Sequence, residues 1–386
     1  MANTLTGLYP IIYNAMNVVS RERVGMINAV SLDAQAAQAA VGQTVRSPVV
    51  GAMSAGNITA AATAPAGTDQ TINYVDISIT KARKVSFNLT GEEERGLGPN
   101  NAPIAQQRFA QAMRTLSNEM EADLTALYVH ASRADRVGTA GTTPFGTADD
   151  FTQLTDALAI LDENGAPMSD RHVVLGSAAV ARLLGKQPGM FKVNEAGDAM
   201  ARRNGELQPL FGAEFHHSGQ VKAHTKGAGT GYDVDLTAGY VVGDTTIHLD
   251  GGTVNSTGIK AGDVITFAGD TSRYIVGTGT TEIEADIILN DPGLRAALAD
   301  TVEATIGNSY TANMVFTRDA FQLATRVPAI PTGGDAADDR MIVTDPISGL
   351  SFEVAVYRQY RQVSYEVGIC WGVKAVSGRH AAILLG

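Results

Sequence analysis

One run of large apolar side chains fixes more of this chain than any other feature. Between Ile104 and Ser132, Phe109, Met113, Leu116, Met120, Leu124 and Leu127 follow at spacings of 4, 3, 4, 4 and 3. On a helix of 3.6 residues per turn these positions fall on one stripe. At ~1.5 Å per residue the helix is about 40 Å long. Its other face carries Gln106, Arg108, Gln111, Arg114, Asn118, Glu121 and Thr125. The stripe reads as a structural spine along which the core must run, and it carries no chemistry.

What precedes the spine does not read as a domain. Leu8, Ile11, Ile12, Met16 and Val19 recur at helical spacing, and the alanine-rich run around Ala34–Ala40 extends this soft helical material with too few large side chains for a core. Residues 1–43 therefore read as an N-terminal arm. Residues 44–89 read as a long β-hairpin whose tip, Ala52–Gln70, is mostly Ala, Thr, Gly and Ser. On its return strand Val75, Ile77, Ile79, Val85, Phe87 and Leu89 occupy odd positions, interrupted by Lys81 and Arg83 with Lys84 opposite. Fifteen residues of strand span ~50 Å, too far to lie over one small core. Projection onto a neighbouring subunit follows, with Val75, Ile77, Ile79, Lys81, Arg83 and Lys84 as expected inter-subunit contacts.

Beyond the spine the pattern is α/β. Asp149 or Asp150 caps an expected helix with Phe151, Leu154, Leu158 and Leu161 on one side, and Gly165 and Pro167 end it. Arg171–Leu175 reads as a short buried strand, Ser177 opens a second helix, and Gly189–Leu210 reads as a mobile loop. Residues 231–310 change character. Six short β-type runs, at Tyr240–Val242, Thr245–Leu249, Asp263–Phe267, Arg273–Val276, Glu282–Leu289 and Thr301–Ile306, recur between turn residues. That spacing predicts a small barrel or sandwich inserted into the α/β chain. The segment holds twelve acids against three bases, so it carries −9 of the chain's net −11. After it come a helical turn or two at Phe316–Leu323 and strand-like runs at Leu350–Tyr357, Gln362–Val367, Ile369–Val376 and Ala381–Leu385.

Few residues point to chemistry. His216, His217 and His224 offer ligand atoms, but adjacent histidines on a strand face opposite ways and no carboxylate completes a known spacing. Gly227–Gly231 resembles a phosphate loop, yet β-type sequence follows it where a helix is needed, so a flexible joint of the insertion is the better reading. Cys370, between Ile369 and Trp371, reads as a buried inert thiol, and Glu92–Glu94 as a solvated turn or helix N-terminus. No Gly-x-Ser-x-Gly elbow is present. No catalytic, cofactor-binding or metal-binding set is expected. With 44% apolar and 18% charged residues and one cysteine, the chain is neither disordered nor a disulfide scaffold. No apolar run spans a bilayer and no secretion leader or membrane partner is expected. A net −11 excludes a surface that grips nucleic acid throughout.

The order of parts resembles the major capsid (coat) proteins of tailed double-stranded DNA bacteriophages, the fold class named for phage Hong Kong ninety-seven, and within it the podophage branch with an inserted β-domain. The residues carrying the resemblance are Phe87-Asn-Leu-Thr-Gly-Glu-Glu before the spine, Gly262-Asp-Val-Ile-Thr-Phe-Ala-Gly-Asp in the insertion, and Cys370-Trp-Gly-Val-Lys-Ala-Val-Ser-Gly-Arg379 at the close. It implies an α+β fold with an arm (1–43), an extension loop (44–89), a peripheral domain (90–148 and 346–368, spine 104–132), an axial domain (149–230, 311–345 and 369–386) and the inserted β-domain (231–310). It also implies pentamers and hexamers of this chain forming an icosahedral shell in the virion, assembled in the host cytoplasm. The implied partners are a separate scaffolding protein, a portal at one vertex, packaged double-stranded DNA held without sequence-specific contact, and decoration proteins. Lys81 and Lys84 lie in the loop that bears the isopeptide lysine of some members, but a match for the partner site is missing and no crosslink is expected. Two other readings are a cellular encapsulin-like nanocompartment shell and a soluble α/β enzyme with an appended β-module. The first lacks a cargo-binding signature here, and the second lacks a convergent catalytic set.

Overall fold

The computed structural model describes residues 9–20, 25–49, 55, 57–58, 60, 73–97, 101–135, 137–148, 150–186, 209–253, 257–345 and 348–386. Most of the expected hairpin tip (52–70) and of the expected mobile loop (189–210) lies outside the described residues, as does Asp149. Helix α1 spans Tyr9–Ser20, α2 Gly25–Ala29, α3 Gly91–Leu97 and α4 Asn101–Thr125, the last followed by a 3-10 turn at Ala126–His130. The spine thus starts three residues earlier than expected, with Pro103 in a first turn whose N–H groups have no helical acceptor, and it tightens before its expected end.

All six stripe residues are buried, in one core with Ile12, Ala15 and Met16 of α1. The opposite face is less polar in its surroundings than expected, because Glu121 and Thr125 are buried. Helix α2 lies across that face: Glu121 Oε1 accepts from Met26 N (2.6 Å) and Oε2 from Ile27 N (3.1 Å). Thr125 Oγ1 donates to Gln220 O at 2.8 Å. Burial holds the Glu121 carboxyl above its ordinary range while these N–H groups pull it back. Glu121→Ala strips the acceptor from two buried N–H groups and is expected to cost about 2 kcal/mol in urea unfolding.

Two expectations about the N-terminal third are corrected, and a third is decided between its alternatives. The alanine-rich run is strand β1 (Ser31–Ala39), parallel to β15 (Phe321–Pro328), with Ser31 opposite Gln322 and Ala34 opposite Thr325. Alanine's helix propensity is a weak prior that edge pairing overrides, and Arg326 fixes the strand through Asp33 at 3.1 Å. The long return strand is two strands, β3 (Asn73–Ser78) and β4 (Lys81–Thr90), broken at Ile79–Thr80. Period two continues through the break, so alternation alone cannot locate it. Among the described residues, strand β3 pairs only with β2 (Thr44–Val49). Strand β4 instead joins the main sheet along β18 (Gln362–Ala375), with Phe87 opposite Tyr365 and Lys81 opposite Trp371. Finally, Thr90 and Glu93 form a reciprocal capping box at the start of α3, at 3.0 and 3.2 Å, so the acidic run is a helix N-terminus.

Strand β18 organises the six-stranded sheet. Its first half pairs with β17 (Ser351–Gln359), which pairs with β16 (Asp339–Thr344); its second half pairs with β15, and β4 runs along it. The expected domain boundary between 368 and 369 falls inside this strand, whose pairing with β4 runs on through Gly368 and Ile369. The turn at Arg318–Ala320, with β15 following, replaces the helix expected at Phe316–Leu323. The chain passes between sheets there, not near 345.

The second sheet orders β19-β14-β5-β6, with β19 Ala381–Leu385, β14 Tyr310–Thr317, β5 Arg171–Leu175 and β6 Ala213–His217. Against it pack α5 (Thr152–Glu163) and α6 (Ser177–Lys186), through a core including Leu154, Leu158, Leu161, Leu175 and Leu183. The N-cap of α5 is Phe151, whose carbonyl accepts from Leu154 N and Thr155 N, and not the expected Asp150, which only accepts from Thr152 N on Oδ1 at 2.9 Å. Strand β7 (Ala223–His224) pairs with β14, His224 opposite Tyr310. The chain therefore leaves and re-enters this sheet at adjacent positions.

Between those positions lies a closed barrel of β8 (Tyr232–Val234), β9 (Thr246–Asp250), β10 (Val264–Phe267), β11 (Tyr274–Thr278), β12 (Ala285–Leu289) and β13 (Glu303–Ile306). It has its own core, with Tyr232, Ile247, Ile265, Phe267, Tyr274 and Ile287 inside. Tyr240–Val242 is not one of its strands: Tyr240 makes a single bridge to Leu298, and Val241 and Val242 are exposed. Among the described residues no helix is long and apolar enough to cross a membrane.

Candidate functional site

The residues expected at an inter-subunit surface divide in two. Ile77 and Ile79 are buried against Ala324 and Cys370 of their own chain, which corrects their assignment as outward contacts. They form the root of the β2–β3 ribbon. Val75 is half-buried, and Tyr74 beside it is 55% exposed. The basic residues are also engaged within the chain. Lys81 Nζ lies 2.8 Å from Asp123 and 3.2 Å from Glu119 on α4, and Arg83 Nε lies 3.1 Å from Glu119. Trp371 Nε1 donates to Asp123 at 2.9 Å, with the Lys81 ammonium 5.8 Å from the indole centre. Lys84 pairs with Glu366 at 2.7 Å. These carboxylates hold both lysines above their usual range, against the neutral amine a nucleophile needs.

Strand β4 is thus stitched to the spine by charge and to β18 by backbone, and its apolar face completes the core. Phe87 stacks on Tyr365 at 5.4 Å and meets Phe109 edge-on at 5.0 Å. What leaves this frame is the ribbon, whose strands, among the described residues, pair only with each other.

The barrel is fastened at the far end of the spine. Tyr128 Oη lies 2.8 Å from His224 Nδ1, and His224 Nε2 lies 2.7 Å from Asp263 Oδ1. The same carboxylate accepts from Gly227 N at 3.0 and 3.1 Å and from Lys260 N at 2.7 Å. Tyr310 donates to Gly262 O at 2.6 Å, and Asn290 Nδ2 donates to Val129 O and Ala131 O, both at 2.7 Å. Gly227 is buried so close to Gly258 O that no side chain fits. The expected flexible joint is therefore a packed clasp, and Asp263, to which the sequence alone assigns no such role, is its hub.

The histidines separate as their strand positions require. His217 Nε2 meets Ser177 Oγ at 2.9 Å, and His224 belongs to the clasp. His216 Nε2 instead lies 2.9 Å from Nδ1 of His172, a residue the sequence reading did not single out. Burial holds both imidazoles below the ordinary histidine range, His216 at about 4. Cys370 is buried, which pushes its thiol up to about 11, as befits packing and not nucleophilic attack.

The sequence matches no protein-family model and no curated protein. Solved structures similar to the chain include a structure titled "Capsid structure of the Cyanophage P-SCSP1u", at 11% identity and a TM-score of 0.47, covering 93% of this chain and 86% of that one. A structure titled "Mycobacterium phage Che8" matches at 14% identity and a TM-score of 0.44, covering 89% and 84%. A "virus-like particle from Pyrococcus furiosus" matches at 8% identity and a TM-score of 0.42, covering 98% and 99%.

Proposed function

We propose that the chain is a shell subunit, the major capsid protein of a tailed bacteriophage with a Hong Kong ninety-seven-type fold, which assembles as pentamers and hexamers around a double-stranded DNA genome. The observation that carries this reading is the β2–β3 ribbon. It is rooted by Ile77 and Ile79, pairs with no other strand among the described residues, and exposes Tyr74 at 55%. An isolated two-stranded ribbon is marginal in water, so a second surface must hold it, and a neighbouring copy supplies one. The order of arm, ribbon, long helix and two sheets supports the same reading.

Charge fits a container. With −9 concentrated in residues 231–310, the rest of the chain carries only −2, which neither grips DNA nor repels it strongly. Scaffolding, portal and decoration proteins belong to the proposal as partners, with assembly in the host cytoplasm and residence in the virion. Electron microscopy of the purified full chain is expected to show capsomers or closed shells of uniform size. A persistent small monomer, with or without a scaffolding protein, overturns the reading. DNA inside native particles separates a virion from an encapsulin-like compartment, whose particles hold protein cargo. Deleting residues 52–70 is expected to leave the melting temperature within a few degrees but to abolish closed shells, and normal shells from that variant remove the ribbon from the mechanism.

A further inference from the structure

Strands β5 and β6 run parallel in register, with His172 opposite Glu214 and Val174 opposite His216. Residues two apart on a strand share a face, so His172, Glu214 and His216 rise together. His172 is wholly buried, the His216 side chain is 19% exposed and that of Glu214 60% exposed, which leaves the group open on one side. Three ligand atoms converge there. His172 Nδ1 lies 2.9 Å from His216 Nε2 and 3.6 Å from Glu214 Oε2, and the last two atoms are 3.9 Å apart. Donors bound tetrahedrally at zinc distances sit roughly 3.3 Å from one another, and these three edges bracket that value.

The surroundings aim the donors. His172 Nε2 lies 3.2 Å from Asp170 Oδ1, so a hydrogen on that nitrogen leaves the Nδ1 lone pair facing the group. A carboxylate on the far nitrogen is the usual outer partner of a metal-binding histidine. Asp170 is itself fixed, accepting from Arg318 Nε at 3.0 Å on its side chain and from Arg318 N at 3.1 Å on its carbonyl.

We propose that His172, Glu214 and His216 form a binding site for one divalent transition-metal cation of the zinc type, with Asp170 orienting His172 and solvent completing the coordination. Two imidazoles and one carboxylate suit zinc and its neighbours, whereas calcium and magnesium take oxygen donors. The ion ties β6, the edge strand of its sheet, to β5.

The test is a titration of the chelator-stripped full chain with Zn²⁺ alone, followed calorimetrically, and with Co²⁺, whose visible absorption reports tetrahedral nitrogen and oxygen ligation. One saturable site per chain is expected. His216→Ala is expected to abolish it, and Asp170→Asn to weaken it by about 10–100-fold. His217→Ala, whose ring faces Ser177, is expected to bind as the parent does. A second group, Asp235, His248 and Glu284 on the barrel, lies within reach of one ion as well. Retained binding in His248→Ala supports the proposal; binding lost there and kept in His216→Ala overturns it. An absence of saturable binding by the parent chain overturns it too. Unchanged far-ultraviolet circular dichroism for His216→Ala, which keeps the buried His172, separates lost ligation from lost fold.

Discussion

Leu116→Asp is expected to leave no cooperatively folded subunit. Leu116 is 1% exposed at the middle of the spine, in the core that joins α1, α4 and both sheets. Removing the leucine side chain alone costs about 2–5 kcal/mol where neighbours cannot collapse into the space. An ionised carboxylate in the same place adds a penalty of several kcal/mol, because the side chain sits in an apolar core. Together these approach the ~5–15 kcal/mol that holds a typical domain. The chain is expected in the insoluble fraction, or soluble without a thermal transition. Leu116→Met keeps the volume and is expected to cost less than about 1.5 kcal/mol. A melting temperature unchanged by the aspartate would mean that the stripe does not bear on the core.

The spine was the most legible feature because its signal is local: six side chains at helical spacing admit one face and one burial pattern. The barrel was legible for a related reason, since turn residues at short intervals leave room only for short antiparallel strands. What could not be read depends on partners distant in sequence. Nothing near Ala34–Ala40 announces β15, almost three hundred residues on, whose edge converts that run to strand. The apolar residues from Val75 to Leu89 keep to odd positions on both sides of Lys81 and Arg83, yet Thr80 donates its N–H to Trp371 O and the chain changes sheets there. Lys81 and Arg83, expected as contacts to a neighbouring subunit, find Glu119 and Asp123 on the polar face of the spine. His216 was weighed with its sequence neighbours His217 and His224, whereas its spatial neighbours are His172 and Glu214. In each case parallel or long-range pairing supplied the missing contact, and such pairing leaves no periodicity to read.

Asp263→Ala is expected to be the most damaging change at the barrel junction. The side chain has no exposed surface, and it receives hydrogen bonds from Gly227 N and Lys260 N as well as facing His224. Alanine leaves two backbone N–H groups and one imidazole nitrogen unpaired in a site closed by Tyr128 and Tyr310. Removing one partner of a buried charged network costs about 3–5 kcal/mol. Asp263→Asn keeps one acceptor oxygen but turns an NH₂ group toward N–H donors, and is expected to fall between alanine and the parent. Tyr310→Phe removes a single bond, to Gly262 O, and is expected to cost only about 1 kcal/mol. The barrel has its own closed core, so the loss should appear first as loosening of the joint. Hydrogen exchange in residues 224–231 and 258–263 is expected to rise before that of β9 and β12, and protease is expected to cut within those segments. Equal exchange throughout the barrel would mean that the clasp and the barrel core unfold as one unit, and that the barrel draws its stability from the sheet to which it is fastened.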